Sequence, residues 1–348
     1  MPDVDQQTIT ITLPDGSERS YPAGTTGFEI AKSIGPGLAR AALAIEANGT
    51  VQDLDQPITD DAEIAILTWD SEKGKETFWH SSAHLMAEAL QELYPDVQFT
   101  IGPPIDQGFY YDVDLGGETL SADDLEAIEA KMKELAKRDV SYERREVSKD
   151  EALAHYEAKG NPYKLELIED LEDGEITFYE QGAFTDLCRG PHIPSTGPIK
   201  YPKLLNVAGA YWRGDESNAQ LTRIYGITFP KKKLLDEFLE RRRLAKERDH
   251  RKLGRELELF TFEPETVGPG LPLWLPKGAV LRETLQDFLK DEQLKRGYEP
   301  VVTPHIGRLD LYRTSGHYPY YQESQFPPMH FEAEGDEEDG YLLKPMNC

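Results

Sequence analysis

The chain has 348 residues, 39% of them hydrophobic and 29% charged, which is too long for one ordinary core and suits two or three domains. Its formal net charge of −26 is spread along the sequence as a solvation strategy and excludes a broadly basic, phosphate-binding surface. With no apolar run near the length of a membrane span, an acidic polar start "MPDVDQQTIT" unlike a secretion signal, and only two cysteines, a reducing cytoplasm and no membrane partner are expected.

Residues 8–13, "TITITL", alternate strictly and run into the turn signal "PDGS", which predicts a hairpin. "TTGFEIAKSIG" predicts a short helix capped by Thr25 or Thr26 and stopped by Gly35. "AALAIEANGTVQDLDQPI" and "AEIAILTWD" supply further strands, completing a small β-grasp pattern over residues 1–69. That pattern resembles the TGS domain, a module appended to several RNA-associated proteins. A helix follows from Glu76 to Tyr94, ended by Pro95. "IGPPIDQGFYYDVDL" reads as a loop-rich patch, and "SADDLEAIEAKMKELAKRD" as an amphipathic helix capped by Ser121 with acids in its first turn.

Strands and turns are then expected to alternate as far as Pro230, so that residues 70–230 form one α+β domain. From Lys231 to Glu256 the sequence holds 11 basic residues against 6 acidic ones. Such a segment serves equally as a footprint for a polyanion or as a solvated linker helix, and would be about 39 Å long if continuous. From Leu257 a third unit rich in Pro and Gly reads as a helix, "AVLRETLQDFLKDEQLKRGY", running into a short strand, "EPVVTP". "FEAEGDEEDG", residues 331–340, reads as an exposed acidic loop.

Two distant stretches carry chemistry. His80 and His84 stand one helical turn apart and so project from one helix face. Cys188 and His192 have the same spacing in a Gly/Pro loop, where side chains can be aimed freely. Together they make a candidate His3Cys cluster, and three readings stay open: a structural zinc site, a metal-free catalytic pocket, or buried core residues. Asp186 lies two positions before Cys188, and Lys164 and Tyr111 fall in polar stretches expected to be loops of the same domain. Imidazoles, a thiol, a carboxylate and an ammonium in one cleft suit activation of water against an ester.

"HSSAHL", "IGPPIDQGFYYD", "TDLCRGPH", "GAYWRGD", "RIYG", "RDHRKLG" and the terminal "YLLKPMNC", in this order, resemble the bacterial type of threonyl-tRNA synthetase, a class II enzyme. The resemblance implies an α+β multidomain chain. Its parts would be a TGS-like β-grasp domain (1–69), an editing domain (70–230), a basic linker helix (231–256) and the start of an antiparallel-sheet catalytic domain (257–348). It further implies ATP-dependent joining of threonine to threonine tRNA, with Mg²⁺, and hydrolysis of mischarged seryl-tRNA. His80, His84, Cys188 and His192 would line the editing pocket with Asp186, Lys164 and Tyr111 assisting. In that family the pocket works without a metal, whereas alanyl relatives can bind zinc there.

Editing has a physical cause. Serine keeps threonine's hydroxyl and lacks only a methyl, a difference of about 1–3 kcal/mol, too little for translation. By the same resemblance Cys348 would be the first ligand of a catalytic zinc whose other ligands lie further along. The helix from Leu281 to Tyr298, with the strand to Pro304, would be motif 1 and build a homodimer. The chain is therefore expected to be a fragment unable to form threonyl-adenylate. The alternatives are a free-standing editing hydrolase and a non-enzymatic RNA-binding protein.

Overall fold

The structure, a computed structural model, describes residues 7–330 and 340–346. Cys348 and nearly all of the acidic loop expected at 331–340 lie outside the described residues. The chain divides into two compact units, Met1–Arg243 and Leu244–Cys348.

The first unit opens with β1 (Thr8–Thr12), β2 (Glu18–Pro22), β3 (Thr25–Thr26), α1 (Gly27–Ile34), α2 (Pro36–Ala41), β4 (Ala42–Ala47), β5 (Thr50–Gln52), β6 (Pro57–Ile58) and β7 (Ala62–Thr68). A sheet runs in the order β2-β1-β7-β4-β5, with β1 and β7 parallel and the other pairs antiparallel. The alternation of β1 turns Ile9 and Ile11 into a core shared with Ile30, Ile45 and Ile64. Thr26 caps α1 in a reciprocal pair with Glu29, and Gly35 ends it, as the sequence indicates. Gly27 brings the helix close over β4: a Cβ there would lie 3.0 Å from Ile45.

α3 (Glu72–Leu93) runs through the middle of the rest of this unit. It starts ahead of the expected Glu76 because Ser71 Oγ accepts the Gly74 N–H and caps it. From Thr77 to Leu90 every residue but His80 is buried. A helix enclosed all round in this way lies in the interior, and it packs on α4 (Ala122–Ala136) and on strands from three sheets. β8 (Gln98–Phe99), β9 (Pro104–Ile105) and β10 (Gly108–Asp114) join β14 (Tyr201–Tyr211) and β15 (Gln220–Phe229) in an antiparallel sheet. β11 (Glu143–Glu146), β12 (Thr177–Gln181) and β13 (Phe184–Leu187) form a second one.

Two expectations fail here. The patch "IGPPIDQGFYYDVDL" is largely strand, because Phe109, Tyr111 and Val113 alternate into the core as β10 pairs with β15. Tyr111 is thus fully buried on a strand rather than in a loop. Between Val147 and Asp170 the expected strands are two helices, α5 (Lys149–Lys159) and α6 (Pro162–Glu169). Ser148 caps the first, left-handed Gly160 ends it, and Asn161 caps the second with Pro162 at its first position. Lys164 therefore sits in the first turn of α6, buried, and not in a polar loop.

The basic segment expected as one helix is also two, α7 (Lys232–Glu247) and α8 (His250–Glu256). Asp249 accepts the backbone N–H groups of Arg251 and Lys252 and starts the second. α7 is anchored by buried Phe238, which with Leu234, Leu235 and Leu239 joins the core around α3. In the second unit α8 is followed by β16 (Phe260–Phe262), β17 (Pro272–Trp274), α9 (Pro276–Lys295), β18 (Ile306–Arg308), α10 (Leu309–Thr314) and β19 (Tyr341–Leu343). The strand expected at "EPVVTP" has no regular structure. Pairing begins at Ile306, where β18 meets β19 over a small core of Leu309, Tyr312 and Leu342.

Candidate functional site

The 188–192 loop lies against α3, so the two Cys/His and His/His pairs meet across 104 positions of sequence. Cys188 Sγ is 3.3 Å from His80 Nε2 and 3.4 Å from His192 Nε2. The rings of His84 and His192 are 4.2 Å apart, and one ligand atom from each of the four residues lies within 4.8 Å of the others.

The network around His192 fixes its proton. Ser81 Oγ donates to the Thr77 carbonyl at 2.8 Å and accepts the Ile193 N–H at 3.0 Å, which leaves it to accept from His192 Nδ1 at 3.1 Å. His192 Nε2 is then a bare lone pair aimed at the thiol. Tyr142 stacks on one side of the ring at 5.0 Å, and Tyr179 tilts against it at 4.4 Å.

A second cluster shares His84. Asp186, on β13, accepts hydrogen bonds from Lys164 Nζ and Tyr111 Oη, each at 2.5 Å, and a longer one from Tyr156. Its other neighbour is His84 Nε2 at 3.7 Å. Both Lys164 and Asp186 are almost wholly buried. Lys164 stands at the N-terminal end of α6, where the helix dipole disfavours a cation, so Asp186 must balance both burial and dipole.

Burial drives the protonation states. It lowers His80 to about 4 and His84 to about 3, partly opposed by the Asp186 charge, and puts His192 well below its ordinary value. All three imidazoles are neutral bases near pH 7. Burial pushes the Cys188 thiol up to about 12, so it is a protonated donor and not a thiolate nucleophile. Asp186 is pushed up by burial, but the Lys164 ammonium outweighs this with help from His84 and the hydrogen bonds, and holds the carboxyl below its ordinary value.

The four donors also fit zinc. Zinc–sulfur and zinc–nitrogen bonds near 2.3 and 2.0–2.1 Å in a tetrahedron separate sulfur from nitrogen by about 3.5 Å, close to the distances from Cys188 to His80 and His192. His84 Nδ1 is moreover buried without a protein hydrogen-bond partner among the described residues.

His80, His84, Lys164, Asp186 and Cys188 line a cleft of about 610 Å³, with Lys73 and Arg189 among its further lining residues. His192 and Tyr111 do not line it and stand behind its wall. Sequence reasoning passed over Ser81, Tyr142, Tyr156, Tyr179 and Asp53, which hold these groups in place. For Ser81 a signal existed, since it stands between His80 and His84 in "HSSAHL".

A TGS domain matches residues 9–68, and the "Threonyl and Alanyl tRNA synthetase second additional domain" matches residues 176–225, which carry Asp186, Cys188 and His192. The part of the fold that carries the site is therefore similar to an accessory domain of threonyl and alanyl tRNA synthetases. The chain is 59% identical to a threonine--tRNA ligase of Cytophaga hutchinsonii and 54% identical to one of Chlorobaculum tepidum, over 98% and 99% of its length. Over nearly its whole length the chain is similar to threonine--tRNA ligases, and it spans about half the length of these curated relatives, 52% in both cases. A solved RNA binding domain of threonyl-tRNA synthetase from Cryptosporidium parvum is 46% identical over 29% of this chain and 24% of its own. Its TM-score of 0.25 is too low to carry a fold comparison.

No helix among the described residues is long and apolar enough to cross a membrane.

Proposed function

We propose that the cleft hydrolyses the ester of a wrongly charged tRNA, namely seryl-tRNA made by a threonyl-tRNA synthetase. The observation that supports this best is the convergence of neutral imidazoles, a protonated thiol and a balanced Lys164–Asp186 pair on one open cleft. Its volume lies in the range that holds an amino acid and the nucleoside bearing it.

In this reading water attacks the ester carbonyl carbon and gives its proton to His80, the one residue of the buried α3 run that is not enclosed. The same imidazole returns the proton to the leaving ribose hydroxyl. Lys164 and the Cys188 thiol donate towards developing negative charge, His84 and His192 position them, and Asp186 and Tyr111 keep the ammonium in place. Were His80, His84, Cys188 and His192 to hold zinc, their four donors would close a tetrahedral site, and the ion would brace the pocket rather than activate water.

The whole protein is then a threonine–tRNA ligase that uses threonine, ATP and Mg²⁺, acts on threonine tRNA as a cytoplasmic homodimer, and takes Cys348 as the first ligand of a zinc in its synthetic half. The test is deacylation of seryl-tRNA. His80→Ala and Cys188→Ala should each slow it, His80→Ala by on the order of a hundredfold. An unchanged rate in both would remove them from the site.

A further inference from the structure

Asp53 belongs to the TGS-like module, yet it reaches the pocket. It lies just after β5 and is 6% exposed. Its Oδ1 accepts the backbone N–H of His192 at 2.7 Å. Its Oδ2 accepts Tyr179 Oη at 2.7 Å and the Gln56 side-chain amide at 3.2 Å. Tyr179 in turn bears on the His192 ring and lies under Gly190, where a Cβ would come within 2.0 Å of its hydroxyl. One carboxylate from the first module thus grips the 188–192 loop twice, once through the backbone of His192 and once through the phenol on which the loop rests.

We propose that Asp53 is a positioning residue for hydrolysis in the cleft, holding His192 and its loop at the distance that keeps Cys188 between His80 and His192. Ser81 fixes the direction of the His192 ring and holds the next backbone N–H, that of Ile193, and Tyr142 covers one side of the ring, but the N–H of His192 itself is held by Asp53. Hydrogen bonds to a charged acceptor are the stronger ones, and small displacements of catalytic groups are costly in rate. The TGS-like module therefore acts as part of the pocket's frame.

This inference rests on the hydrolytic reading above, so its test has two readouts. In the full chain, Asp53→Ala should lower kcat for seryl-tRNA deacylation roughly tenfold while leaving KM for the tRNA unchanged. Asp53→Asn keeps an oxygen for the His192 N–H and should restore most of the rate. Asp55→Ala, on the exposed neighbour, should match wild type. Independently of activity, iodoacetamide labelling of Cys188, read by peptide mass spectrometry to separate it from Cys348, should be faster in Asp53→Ala and return towards wild type in Asp53→Asn.

Wild-type Cys188 labelling and wild-type kcat in Asp53→Ala overturn the proposal. So does an Asp53→Asn variant as impaired as Asp53→Ala in both. A wild-type chain that leaves seryl-tRNA intact instead contradicts the hydrolytic reading, and the labelling result still decides what Asp53 does.

Discussion

At the scale of single residues, the site depends on groups that water would otherwise claim. Lys164 and Asp186 are each only a few per cent exposed, and neither is tolerable without the other. Lys164→Met should leave a buried carboxylate uncompensated and cost about 3–5 kcal/mol, the range for breaking a buried ion pair. Adding Asp186→Asn should recover part of that loss. Urea unfolding of the two variants checks it, and equal stability of the single variant and wild type would deny the pair its structural weight. His80, His84, Cys188 and His192 were legible in the sequence because one helical turn of spacing and a Gly/Pro loop are visible there. The environments of Lys164 and Tyr111 were not, since a polar head on a long or aromatic stem is silent about which way it points. Asp53 was beyond reach, because its partners lie 126 and 139 positions away.

At the scale of elements, punctuation carried more information than periodicity. Thr26, Ser121 and Gly35 marked helix ends correctly, each through a hydrogen bond it makes with the helix backbone. The same marks stood at Ser148, Gly160, Asn161 and Pro162, but the weak amphipathic pattern of a polar stretch hid α5 and α6 behind them. The loop that carries Cys188 and His192 depends on a glycine for another reason. Gly190 has φ +69° and its missing side chain is where the Tyr179 hydroxyl sits. Gly190→Ala should therefore displace the loop and reduce seryl-tRNA hydrolysis severalfold while the far-ultraviolet circular dichroism stays as in wild type. A fully active variant would mean that the loop has slack the packing does not show.

At the scale of the whole molecule, the acidic chain must still meet an RNA if it edits one. α7 offers a cationic stretch, though Lys232, Lys233 and Arg243 are already paired with acids on the same helix. Arg241 and Arg242 flank its buried anchor Phe238. If both reach phosphates, changing them to Gln should weaken tRNA binding and flatten its salt dependence by a slope of about 2, near 0.9 for each phosphate no longer neutralised. An unaltered slope would place the RNA elsewhere.

The central claim is that the cleft discriminates esters by chemistry and size, and its most direct test is a paired deacylation experiment on the full chain. Threonine tRNA charged with serine should lose its amino acid rapidly, and the same tRNA charged with threonine should keep it, with His80→Ala sparing both. Equal survival of the two esters in the presence of the wild-type chain would contradict the account.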